Sequence, residues 1–163
     1  MRVILAASIA VLLVVASGPI AAGLSSQSVH VRAIDSTVLS PNGVQVPKVY
    51  VLSAGGSVLF EGEPTADQPF APIIRALREP TPVGNSRNST PAIVALLERT
   101  GVELSAGKVP LLVTLEFGTS VGRCAACDPY YPDLMRAVAE SGVDVRRIRV
   151  LFEKNDYPLQ ASK

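Results

Sequence analysis

The 163-residue chain has no tryptophan, one histidine, two methionines and two cysteines, and only 5% of it is aromatic. Each shortage closes off a class of function. The one histidine, His30, excludes most histidine-rich metal sites, and any Ser–His catalytic pair unless His30 itself falls there. The formal charge is only +1, with no basic stripe and no interleaving of basic and aromatic residues, so nucleic acid is not an expected partner. Internal repeats and low-complexity segments are also lacking.

Apolar residues, by contrast, are plentiful. They make up 48% of the chain, enough for a real core in one domain, expected over residues 25–158 with a loosely ordered tail at 155–163. After Arg2 an uncharged apolar run extends from Val3 to Leu24 and ends in Gly18, Pro19 and the small residues Ala21 to Gly23. Residues 1–24 read as an export signal or as a retained membrane anchor through residues 3–24. Either reading sends the rest of the chain across the membrane, because the lone positive charge stays inside. No cysteine follows the run, which excludes a lipoprotein anchor. The expected location is periplasmic or otherwise extracytoplasmic. That compartment is oxidising, so disulfides persist and thiol exchange operates there.

Hydrophobic periodicity predicts an α/β layout. Ser28 to Asp35 alternates like a strand. Lys48–Leu52 and Ser57–Glu61 form a hairpin around Gly55-Gly56. Phe70, Ile73, Ile74 and Leu77 share one face of a short helix. Glu79 to Pro91 reads as a linker, and its Asn88-Ser-Thr is a chance glycosylation sequon. Thr90 and Pro91 then open a second helix that Gly101 ends. "GKVPLLVTLEF" is a buried central strand. A third helix runs to about Ser141, with Tyr131, Leu134, Met135 and Val138 on one side, and "VDVRRIRVLFE" is a last strand.

The two cysteines lie between that central strand and the third helix, in "VGRCAACDPYYPDL". Free N–H groups and the macrodipole at a helix N-terminus stabilise a thiolate, the reactive form. This placement makes Cys124 the attacking sulfur, with Arg123 adding positive potential. Cys127, read as one turn inside the helix, can resolve a mixed disulfide. Zinc lacks its four ligands here. A copper(I) pair and a purely structural disulfide remain as alternatives, although so small a loop removes little chain entropy.

The stretch "GKVPLLVTLEFGTSVGRCAACDPYYPDL" resembles the active-site half of the thioredoxin-like superfamily. In that family a "GKPVLV-F" strand runs into a CxxC, and a proline follows five residues after the second cysteine, as Pro132 follows Cys127. The resemblance implies a mixed sheet flanked by helices. It makes Glu116 a candidate proton acceptor for Cys127. The chain departs from the family in three ways: no tryptophan precedes the first cysteine, "GTSVGR" is about two residues longer than usual, and the intervening dipeptide is Ala-Ala. The family's second half, a cis-proline segment with a hairpin and a helix, is similar to "VPKVYVLSAGGSVLFEGEPTADQPFAPIIRAL", which lies upstream. The halves are therefore expected in permuted order: residues 44–79, a linker at 80–90, then residues 91–153. The helix that usually joins them has no evident substitute, and Ser28 to Asp35 is expected to fill the gap as an extra strand.

The resemblance also makes Val46 and Pro47 the cis-proline segment that presents a substrate strand to Cys124. The implied function is thiol–disulfide exchange on protein substrates, with an electron partner and no cofactor. Two alternatives stand beside it. One is a binding or assembly component of an envelope complex, using the face left by the missing helix for a partner or a second copy. The other is a copper(I)-handling factor, for which only His30 is available as a further ligand, since Met135 is read as pointing into a helix. His30 itself is read as a solvated strand residue.

Overall fold

A computed structural model describes residues 25–39, 46–63, 70–79, 91–105 and 108–156. The apolar run at 1–24, the linker at 80–90 with its Asn88 sequon, the start of the first half at 44–45, and the tail from Tyr157 onward lie outside the described residues. No helix among the described residues is long and apolar enough to cross a membrane.

The described residues form five strands and three α-helices in the order β1 (Ser25–Arg32), a 3-10 helix (Ala33–Val38), β2 (Lys48–Leu52), β3 (Val58–Gly62), α1 (Ala71–Arg78), α2 (Ala92–Arg99), β4 (Leu111–Phe117), α3 (Cys127–Ser141) and β5 (Arg146–Glu153). The strands make one mixed sheet in the order β1-β5-β4-β2-β3. β1 and β4 both run parallel to β5, while β2 pairs antiparallel with β4 and with β3. The central place of β4 follows from its sequence. Six of its seven residues are buried, because helices cover both faces of the sheet there.

Two clusters form the core, one on each face. On the first face Ile93, Leu96 and Leu97 of α2 meet Val29 and Val31 of β1 and Ile148, Val150 and Phe152 of β5. On the second face α1 gives Ile73 and Leu77, and α3 gives Cys127, Tyr131, Leu134 and Val138. The α3 residues recur at helical spacing and form the stripe that an amphipathic helix needs. Both Gly101 (φ 76°) and Gly142 (φ 68°) stand at helix ends in the left-handed region, where glycine carries no Cβ penalty. After α2, Gly101 N–H bonds Glu98 O and Val102 N–H bonds Leu97 O, satisfying two terminal carbonyls.

Three expectations need correction. The first strand begins at Ser25 and ends at Arg32, and Ala33–Val38 coils into the 3-10 helix. It forms the sheet edge beside β5 across its whole length, a long-range pairing that local alternation does not reveal. The α2 N-cap is Pro91, without a side-chain hydrogen bond, and Thr90 lies outside the described residues. Finally, α3 begins at Cys127 itself, so that cysteine opens the helix and does not lie one turn inside it.

Candidate functional site

The site forms where β4 ends. Phe117 is the last strand residue, and residues 118–126 carry the chain to the mouth of α3. Cys124 and Cys127 are joined, with an S–S distance of 2.02 Å and Cα atoms 5.2 Å apart. Cys127 N–H and Asp128 N–H both donate to Cys124 O, at 3.0 and 3.2 Å, so a hydrogen-bonded turn leads from Cys124 to the first residue of α3. Cys127 N–H also lies 3.1 Å from Cys124 Sγ. An N–H at the helix mouth is therefore aimed at the first sulfur, as stabilising a thiolate there requires. The two sulfurs differ in access: Cys124 is half-buried and Cys127 is buried in the second core cluster.

Arg123 is exposed, and its Nε donates to Asp128 Oδ2 in the first turn of α3. Its charge therefore faces a carboxylate, and the pair adds little net positive potential at Cys124. Phe117 and Val121 are two of the larger apolar side chains left exposed, and both belong to the same turn of chain.

Glu116 is buried on the α3 face of the sheet, where it meets two arginines. Its Oε1 accepts from Thr114 Oγ1 at 2.8 Å, from Arg147 Nη2 at 3.0 Å and from Arg149 Nε at 3.1 Å. Its Oε2 lies 2.6 Å from Arg149 Nη2. Burial alone would raise the pKa of this carboxyl. The bonds from Arg149 and Thr114 and the two guanidinium charges outweigh it and hold the group below the ordinary carboxylate range. Burial pulls Arg147 down, against the Glu116 charge, whereas its bonds to Glu116 push Arg149 up. Such a carboxylate is ionised and a weak base. An open cleft beside α3 is lined by Glu116, Cys127, Tyr131, Met135, Arg147 and Arg149.

The Val46–Pro47 peptide bond is cis, the isomer expected from the sequence. Pro47 directly precedes β2, and Lys48 pairs with Leu115, which puts Pro47 level with Glu116 at the C-terminal end of β4. Val46 packs against both core clusters, the second of which also holds Cys127 and takes Cys124. Tyr131 ties these pieces together. Its hydroxyl donates to Leu115 O, and the Lys48 backbone bonds it from the neighbouring strand. Burial, reinforced by the Glu116 charge, drives the Tyr131 pKa far above the ordinary phenol value, so the hydroxyl stays a donor. Tyr130 is half-buried against Phe70, with ring centroids 5.4 Å apart, and burial pushes its pKa up to about 12.

The structure thus gathers Cys124, Cys127, Glu116, Arg123, Val46 and Pro47 at one end of the sheet. Sequence reasoning missed Arg147 and Arg149. A signal existed, because they alternate with Ile148 and Val150 and so face a covered surface that must supply a carboxylate. It also missed the partner of His30. His30 is half exposed, but its Nδ1 lies 2.8 Å from Glu153 Oε1, so it is not simply solvated.

A mixed α/β sheet with a CxxC pair at a strand-to-helix turn is compatible with a thioredoxin-like fold. Comparison with protein-family models, with curated proteins and with solved structures finds no match.

Proposed function

We propose that the chain is a thioredoxin-like domain with its halves in exchanged order, and that it performs thiol–disulfide exchange on protein substrates outside the cytoplasm. The sheet supports the first part. The cis-proline strand and its hairpin flank β4 on one side, β5 flanks it on the other, and the chain builds the hairpin before it reaches the cysteines. The apolar run at residues 3–24, signal or anchor, supports export.

The observation that carries the activity is the asymmetry of the pair. Cys124 is partly exposed and its Sγ faces an N–H at the helix mouth, while Cys127 is buried. Starting from the dithiol, Cys124 thiolate attacks one sulfur of a substrate disulfide and expels the other as a thiolate. Cys127 then attacks Cys124 Sγ, releases the second substrate thiolate and closes the 124–127 bond. Two electrons pass to the substrate. The reverse sequence oxidises a substrate dithiol: its thiolate attacks Cys124 Sγ and Cys127 leaves. A redox partner restores the starting state, and no cofactor takes part. Val46 and Pro47 present the substrate backbone beside Cys124.

Glu116 acts in this reading as the fixed counter-charge of Arg147 and Arg149. With both oxygens engaged and its pKa depressed, it is poorly matched to taking a proton from Cys127. The cleft beside Cys127 offers that proton a route to solvent.

Insulin reduction by the parent and by Cys124→Ser and Cys127→Ser variants tests the assignment. The parent is expected to turn over. Cys124→Ser should be inert, and Cys127→Ser should stop at a trapped mixed disulfide. Equal activity in all three proteins would refute it. A second reading, a binding component of an envelope complex with a permanently oxidised pair, draws on the exposed Phe117 and Val121 beside the disulfide. A copper(I) role finds His30 already engaged by Glu153.

A further inference from the structure

Glu153 ends β5 and is fully covered, next to Val150, Leu151 and Phe152, which are also buried. A carboxylate in such a place is tolerated only when bonded. Oε2 accepts from Ser120 N–H at 2.9 Å and from the Ser120 hydroxyl. Ser120 Oγ in turn accepts from Lys154 N–H at 2.8 Å. Oε1 lies 2.8 Å from His30 Nδ1, and an ionised carboxylate only accepts, so that nitrogen carries the proton. Burial opposes ionisation of Glu153, but the Ser120 and His30 bonds win and hold its pKa below the ordinary range.

The carboxyl group also lies directly over Gly118. A Cβ built there would meet Glu153 Cδ at 2.1 Å, so the position has room for the carboxylate only as glycine. Gly118 N–H bonds Phe152 O at 2.7 Å. The first residues of the connection between β4 and α3 are thus fastened to the end of β5. Beyond Ser120 the connection's backbone bonds are short-range: Val121 and Gly122 N–H to Gly118 O, then Cys127 and Asp128 N–H to Cys124 O. The longer "GTSVGR" segment has its anchor here.

We infer that Glu153 is a positioning residue for the Cys124–Cys127 pair, fixing through Ser120 the start of the connection that carries Cys124 to the mouth of α3. The inference rests on the exchange reading above. In the disulfide the covalent bond holds Cys124 whatever the loop does. In the dithiol its position depends on the loop, and there the anchor keeps Cys124 Sγ at the Cys127 N–H, a stabilisation of the thiolate that outweighs the higher effective concentration a fixed loop gives the closing thiol. A merely structural carboxylate would stabilise both states equally and leave their balance alone.

The test uses the parent, Glu153→Gln and Ser120→Ala, and equilibrates each with reduced and oxidised glutathione. The alkylation rate of reduced Cys124 is followed against pH in parallel. Loss of the anchor should shift the equilibrium toward the disulfide by about tenfold, some ~30 mV more negative. It should also slow alkylation at neutral pH, with the pH profile displaced upward. Ser120→Ala keeps the carboxylate and remains informative if Glu153→Gln folds poorly. Variants with the parent's equilibrium and pH profile would overturn the inference and leave the exchange reading intact. A shift of opposite sign would also overturn it, because removing a negative charge without loosening the loop favours the thiolate. A parent pair that never equilibrates with glutathione would sink both.

Discussion

Replacing Glu116 with glutamine removes one charge and almost no volume. The five contacts from Thr114, Arg147 and Arg149 converge on two oxygens of Glu116. A glutamine carbonyl can still accept from Thr114 and Arg147, but its NH2 group then points at Arg149, donor against donor. Arg147 is left as a mostly covered cation with a neutral neighbour, and its repulsion from Arg149 is no longer offset. A hydrogen bond to a charged group contributes about 1.5–3 kcal/mol net. Arg149 is 38% exposed, so screening reduces its share. The net loss comes to about 2 kcal/mol, or about 6 °C in Tm for a domain of this size.

Thermal denaturation of the oxidised protein at pH 7 reads that loss directly, and its pH dependence checks the cause. The folded pKa of Glu116 lies below its unfolded value. Its contribution is therefore present above its unfolded value of 4.5 and fades as pH falls through the folded value. The gap between parent and variant should close in acid. No measurable change at pH 7, or a gap that persists undiminished at pH 3, would refute the reasoning. The same variant separates two roles. Loss of a general base would slow exchange by about a hundredfold. A counter-charge to the arginines predicts only a small change in the exchange rate.

Tyr131→Phe removes the hydroxyl that joins α3 to Leu115 O and to the Lys48 backbone. Losing that buried hydrogen bond should cost about 1 kcal/mol in urea denaturation. An unchanged midpoint would mean the bridge contributes nothing. Leu134→Ala empties a fully buried position on α3 and should cost about 2–5 kcal/mol, with both redox states affected. In the reduced protein Cys124 should be alkylated well before Cys127, since only Cys124 is partly exposed, and mass mapping of a short pulse will show the order.

Much of this architecture can be read along the chain because its signals are local. The apolar run "LLVTLEF" marks a covered central strand, the Gly55-Gly56 hairpin declares itself, and Leu134 and Val138 recur at helical spacing. The CxxC at a strand-to-helix turn, with Pro47 upstream, points to the end of the sheet where the site forms. The features that escape sequence reading depend on long-range pairing. β1 reaches β5 across more than a hundred intervening residues, so its alternation cannot name its neighbour. Glu153 carries no local sign of its burial, because what covers it, Gly118 and Ser120, lies more than thirty residues away in the chain. Arg123 sits beside Cys124 in sequence, but Asp128 claims its charge in space.

The most direct measurement of the central claim is a redox titration of the 124–127 pair in glutathione buffers, quenched by alkylation and read by mass. An exchange-active pair should pass through one two-electron transition within the range that the glutathione couple spans. A pair that stays closed at the most reducing ratio, as structural disulfides with potentials below about −300 mV do, would contradict the account.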